Sequence, residues 1–196
     1  IGSGHRNVFI IQGGPGTGKS VLAINLLASS IREGHMAAYV SKNSAPRNVY
    51  ERILTNKGRF RKTEIHELFL GSGSFVSTKG NSYDALFVDE AHRLNEKSGI
   101  FHNIGENQIK EIILSSRISV FLIDEKQQIT TQDIGSVEEI RYWAEKCGAY
   151  IHEAVLESQF RCNFLFGGFT FFQNEFCNFY LIEIVFLSLH IITPTL

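Results

Sequence analysis

The octapeptide Gly13-Gly14-Pro15-Gly16-Thr17-Gly18-Lys19-Ser20 constrains this chain more than any other stretch. It matches G-x-x-x-x-G-K-[ST], a loop whose glycines let successive backbone N–H groups curl around phosphate oxygens. Such a loop needs a strand before it and a helix after it. Val8 to Ile11 is a short β-branched and aromatic run, and Val21 to Ile31 places Ile24, Leu27, Ala28 and Ile31 on one helical face, with Gly34 as its stop. The helix that begins near Gly18 turns its positive end toward the same anion. In this arrangement Gly13, Gly14, Pro15, Gly16, Thr17, Gly18, Lys19 and Ser20 form the cradle. Lys19 reaches the β- and γ-phosphates, and the Ser20 hydroxyl is a Mg2+ ligand. The expected ligand is ATP with Mg2+.

The rest of the chain alternates strand and helix patterns. Ala37 to Val40, Leu86 to Val88, Ile118 to Ile123 and Tyr150 to Leu156 read as strands. Gln108 to Ser115 reads as a helix, and Ser136 with Glu139 makes a capping box for a helix ending near Gly148. The alternation predicts an α/β fold with a mainly parallel sheet and helices on both faces. Ligands in such sheets sit at the carboxyl ends of the strands. The polar clusters at Gly13, Asp89 and Asp124 all follow strands, so they are expected to converge.

Asp84-Ala85-Leu86-Phe87-Val88-Asp89-Glu90-Ala91-His92 is an apolar strand ending in two acids. Asp89 suits magnesium, and Glu90 suits deprotonation of an attacking water. Acids in the first turn of a helix are also favoured by its dipole, which is the competing reading. His92 reads equally as a coupling or a structural residue. After the next strand, Asp124 and Gln127 are three apart, and an amide at Gln127 could sense the γ-phosphate or the water; the alternative is a solvated turn.

The order of these segments resembles the first RecA-like domain of superfamily 1 helicases, and within them the Schlafen-type DNA/RNA helicase-like ATPases, over about Val8 to Cys162. Gly13 to Ser20 corresponds to motif I (Walker A), and Val88-Asp89-Glu90-Ala91-His92 to motif II (Walker B). Tyr39 to Arg47 looks like motif Ia, which implies that Lys42, Asn43, Ser44 and Arg47 touch single-stranded DNA or RNA; a solvated polar loop is the plainer reading. Asp124 to Gln127 resembles motif III, with Ile123 where a glycine is usual. Gln159-Phe160-Arg161 resembles motif IV, which implies that Arg161 contacts the γ-phosphate. The resemblance therefore implies catalytic roles for Lys19, Glu90, Gln127 and Arg161, and Mg2+ ligation by Ser20 and Asp89. Nothing after Arg161 resembles motifs V and VI of the second RecA-like domain, which intact relatives are expected to carry, so unwinding by this chain alone is not expected. A nucleotide switch or assembly ATPase acting on protein partners is the alternative function. A small-molecule kinase is less favoured, because no acceptor site or lid is readable.

Composition enters at two points. The formal net charge is −1, so a nucleic-acid partner rests on motifs and not on a basic surface. After Cys162 the character of the chain changes: residues 163–196 contain no Lys or Arg, only Glu175 and Glu183 as acids, and half of the 16 phenylalanines. The expected organisation is a RecA-like ATP-binding domain over 1–162 and an atypical tail over 163–196, best read as an out-of-frame or wrongly joined translation; a buried helix or strand pair and a membrane anchor are the other readings. The apolar run Tyr180 to Ile192 falls short of the ~20 residues a membrane span needs, and Glu183 interrupts it. No membrane partner is expected. Cys147, Cys162 and Cys177 share no C-x-x-C spacing, so a reducing cytoplasm is the default compartment. The chain opens on Ile1 with a strand pattern already at Val8, so a missing beginning is also expected.

Overall fold

A computed structural model of the chain describes residues 5–45, 48–49, 66–99, 104–127 and 133–156. The described elements are β1 (Asn7–Gly13), α1 (Lys19–Arg32), β2 (Ala37–Ser41), β3 (Phe69–Leu70), β4 (Tyr83–Asp89), α2 (Gln108–Ser115), β5 (Ser116–Ile123), α3 (Val137–Lys146) and β6 (Tyr150–Leu156). The six strands form one sheet in the order β3-β2-β4-β5-β1-β6, with every pair parallel. The fold is α/β with a parallel sheet, as the alternation of patterns predicts, and RecA-like, as the resemblance implies.

Alternate residues of each strand face opposite sides of the sheet, and both sides are apolar, as a doubly covered parallel sheet requires. Phe9 and Ile11 of β1, Tyr39 of β2, Phe87 of β4, and Val120 and Leu122 of β5 pack with α1. Val8, Ile10, Val40, Leu86, Val88, Phe121 and Ile123 pack on the other side with Ile109 and Ile112 of α2 and Ile140 and Ala144 of α3. This two-sided burial explains why the strands read as continuous hydrophobic runs.

Three details depart from the sequence-based expectations. The buried stripe of α1 is Leu22, Ala23, Leu26, Leu27 and Ser30. Of the expected face, Leu27 is buried, Ile24 and Ile31 are partly buried, and Ala28 is exposed. Apolar residues lie nearly all round this helix, so periodicity alone cannot select the face; contact with the sheet does. The capping box of α3 is only half made. Ser136 Oγ accepts from the Glu139 N–H at 3.1 Å, but the Glu139 carboxylate accepts from Trp143 Nε1 at 2.8 Å instead of turning back to its own cap. Finally, β3 is a two-residue strand, too short for any periodic signal.

The register fixes the site. Ser41 pairs with Asp89, and Gln12 pairs with Ile123. The ends of β1, β2, β4 and β5 therefore lie along one edge, with Asp124 following directly on Ile123 beside the start of the loop. Residues 163–196 lie outside the described residues; among the described ones, no helix is long and apolar enough to cross a membrane.

Candidate nucleotide site

The loop after β1 is built from contacts within a few residues of sequence. Gly16 and Gly18 hold φ +75° and +86°, the left-handed region that L side chains rarely adopt. At Gly13 the need for glycine is steric: a β-carbon would come within 2.6 Å of Thr17 Oγ1 and 3.2 Å of Leu156 Cβ. Thr17 is buried and its hydroxyl donates to the Gly14 carbonyl at 2.9 Å, which ties the bend shut. Gly18 forms the N-terminal boundary of α1 without any side-chain cap, which leaves that end of the helix for a ligand.

Lys19 turns back over this loop. Its Nζ donates to the Gly13 carbonyl at 2.6 Å and the Gly14 carbonyl at 2.8 Å, and stands 3.8 Å from Asp124 Oδ2. Burial pulls its ammonium below the usual lysine pKa, against the opposing pull of Asp124, Asp89 and Glu90. Asp124 is thus the nearest acid to this half-buried cation, and Asp89 and Glu90 act on it electrostatically. Asp124 is itself buried, and its Oδ2 accepts no hydrogen bond. An anionic ligand that engages Lys19 meets a cation already centred among acids at the mouth of a helix.

Asp89 ends β4 and is only 3% exposed. Tyr39 Oη donates to its Oδ2 at 2.6 Å, and the Glu90 N–H donates to its Oδ1 at 2.9 Å. Both oxygens are therefore oriented, each with lone pairs to spare for a metal-bound water. Glu90 sits at φ +52°, ψ +43°. A non-glycine residue in this conformation costs about 1–2 kcal/mol and is a recurrent sign of a functional turn. Its Oε2 is buried without a hydrogen bond, 3.9 Å from Arg93 Nη1.

Pro15 to Val21, Asp89, Glu90, His92 and Gln127 line one cleft of about 420 Å³. His92 is 2% exposed, and its Nδ1 accepts from the Asp124 N–H at 3.4 Å. Burial lowers its pKa. This bond joins the turn after β4 to the turn after β5, where the Gln127 N–H donates to the Asp124 carbonyl at 2.9 Å. The donor set suits a magnesium triphosphate: Lys19, Ser20 and the loop backbone for phosphates, and Ser20 with Asp89 for a cation that binds few protein ligands beside phosphate and water. The buried, unsatisfied oxygen of Glu90 suits a water to be deprotonated.

Of the residues expected to hold a strand, Ser44 is exposed and Asn43 half-buried. The Asn43 side chain accepts from the Ala45 N–H at 3.3 Å. Lys42 is tied inward, to Asn95 and Asp133. Arg47 and Arg161 lie outside the described residues. Sequence reasoning missed Tyr39, Asn95 and Asp133, whose roles depend on partners far away in the chain. The one available signal was Tyr39, a hydroxyl in an otherwise apolar strand.

Comparison with known proteins gives a consistent picture. A family model described as Schlafen group 3, DNA/RNA helicase domain, matches residues 6–170. A UPF0273 protein of Pyrococcus furiosus is 26% identical over 120 residues, covering 60% of this chain and 49% of the relative. A UPF0273 protein of Aeropyrum pernix is 32% identical over 77 residues, covering 39% of this chain and 31% of the relative. The chain thus spans at most about half the length of these relatives.

Proposed function

The chain belongs to the Schlafen group 3 DNA/RNA helicase domain family, and on that premise we propose that it binds ATP with Mg2+ on the Gly13–Ser20 loop and hydrolyses it in response to single-stranded DNA or RNA. The observation that carries this reading is the single cleft into which Lys19, Asp89, Glu90, His92 and Gln127 all open. In the proposed reaction, Lys19 and the loop N–H groups neutralise the phosphates. Ser20 and Asp89 would hold Mg2+, which would supply charge neutralisation for the phosphates. Glu90 takes the proton of the attacking water. Gln127 orients that water or reads the γ-phosphate, and Arg161 supplies the second cation on the transferred group. Asn43, Ser44 and Arg47 contact the strand backbone. Strand separation in this reading requires a second RecA-like domain acting on the same nucleotide.

The test is the ATPase rate with and without single strands, for the protein and for Glu90→Gln. Stimulation that weakens with salt, and is lost in Glu90→Gln while ATP binding persists, supports the reading. An unstimulated rate with ATP-dependent self-association supports instead a nucleotide switch or assembly ATPase.

A further inference from the structure

Lys42 leaves the carboxyl end of β2 one residue beyond the Ser41–Asp89 pair. Its Nζ donates to Asn95 Oδ1 at 2.9 Å and to Asp133 Oδ1 at 3.0 Å, and the Asp133 side chain is completely buried. Both partners belong to segments that grip the turn carrying Glu90. Asn95 closes that turn, and its N–H donates to Gln108 Oε1 at 3.0 Å, anchoring it to the start of α2. Asp133 pairs with Asn95 in an antiparallel bridge. The next N–H, of Ile134, donates to the Leu94 carbonyl at 2.8 Å. Gly135 then passes so close to the Ala91 carbonyl and the His92 Cα that a β-carbon there would collide with backbone. Residues 133–135 thus form the outer wall of the Glu90 turn, and Lys42 supplies a countercharge to the buried Asp133.

We propose that Lys42 is a positioning residue for hydrolysis, and that it acts through Asp133 and Asn95 to hold the Glu90–His92 turn and the left-handed backbone of Glu90. The geometry argues against a strand phosphate as its partner. Pulling this ammonium outward would break its bonds to the Asn95 side chain and to the fully buried Asp133 carboxylate, which is unfavourable. A left-handed Glu90 persists only if its surroundings over-determine it, and the bridge at 95 and 133 with the close contact at 135 does so. This inference rests on the hydrolytic reading of the cleft.

The experiment compares the protein with Lys42→Ala, Lys42→Arg, Asp133→Asn and the Lys42→Ala/Asp133→Asn pair. Steady-state ATPase, binding of a fluorescent ATP analogue, single-strand binding and amide hydrogen exchange are measured for each. Lys42→Ala is expected to lower kcat about tenfold, the scale of a small misplacement of a catalytic group, with nucleotide and strand affinity unchanged. The pair is expected to be no worse than Lys42→Ala alone, because both changes break one contact. Lys42→Arg is expected to recover part of the rate. Full kcat in Lys42→Ala, or lost strand affinity with kcat intact, overturns the proposal. If the unsubstituted protein turns over no ATP, the hydrolytic reading is what fails, and exchange judges the clamp. Faster exchange of the Asn95 and Ile134 amides in Lys42→Ala upholds it, and unchanged exchange removes it.

Discussion

The two halves of the cleft are held by different means. The Gly13–Ser20 loop is held by its own neighbours: Lys19 bonds the carbonyls of Gly13 and Gly14, and Thr17 bonds that of Gly14. The turn that carries Glu90 is held from far along the chain. Tyr39 reaches Asp89, His92 meets the backbone of Asp124, and Lys42 reaches Asp133. The loop is therefore a local device that any strand–loop–helix of this composition can form. The turn exists only when the sheet has aligned β2, β4 and β5. Changes in the loop should affect ligand affinity and leave the fold alone, whereas changes around the turn should affect both stability and chemistry.

The sharpest way to break this division is Lys19→Ala. Among the described residues its Nζ bonds only loop carbonyls and faces Asp124. Loss of ATP affinity is expected to exceed about a hundredfold, near 2.8 kcal/mol at 1.4 kcal/mol per tenfold, read by titration calorimetry. The urea midpoint should stay close to that of the unsubstituted protein; a large fall would show that the loop is not a local device.

Gly135→Ala addresses the other half. The clash is with the backbone of Ala91 and His92, which cannot rotate aside as a flexible side chain would. A stability loss of about 2 kcal/mol is expected from this overpacking, measured by urea unfolding. An unchanged midpoint would mean that residues 133–135 do not brace the turn.

Tyr39→Phe should have a smaller effect. It removes the hydroxyl that donates to Asp89 Oδ2 and leaves a buried carboxylate oxygen one donor short. The expected loss is about 1.5 kcal/mol of stability, as for hydrogen bonds to charged groups. Recovery of part of that loss with magnesium and ATP would show that Asp89 faces the ligand; no recovery would separate Asp89 from the metal.

The smallest effect is expected from acid. Burial depresses the His92 pKa below its ordinary value of 6.5, so the folded protein holds the imidazole neutral while the unfolded chain binds a proton more readily. The sign follows: this contribution is fully present above pH 6.5 and is lost as pH falls through the depressed folded value. His152, stacked on Phe9, shifts in the same direction by burial. Stability measured against pH should therefore fall less steeply below 6.5 in His92→Asn. An unchanged slope would assign the acid response to His152 or to the carboxylates.

The same division governs what could be read in advance. The loop, the acids after β4 and the alternation of strands with helices were legible because each depends on residues adjacent in sequence. The buried face of α1 was misjudged because Val21 to Ile31 offers apolar residues in most directions, and only docking on Phe9, Tyr39 and Phe87 selects among them. The half-made capping box at Ser136 was misjudged because Trp143, one turn along α3, competes for the Glu139 carboxylate. The partners of Lys42 were invisible for a plainer reason: Asp133 lies 91 residues away and looks, in sequence, like any polar loop residue.

By itself, the sequence determined that this chain has a glycine-rich loop between a buried strand and a helix, with two acids at the end of another strand. It could do so because glycine at positive φ, a lysine beside it and alternating burial are properties of short segments. Only the tertiary structure decided that Asp89 is oriented by Tyr39, that Asp124 faces Lys19, and that Lys42 points inward. Those pairings follow from a parallel sheet bringing the ends of β1, β2, β4 and β5 to one edge, and from the high cost of leaving a buried charge without a partner.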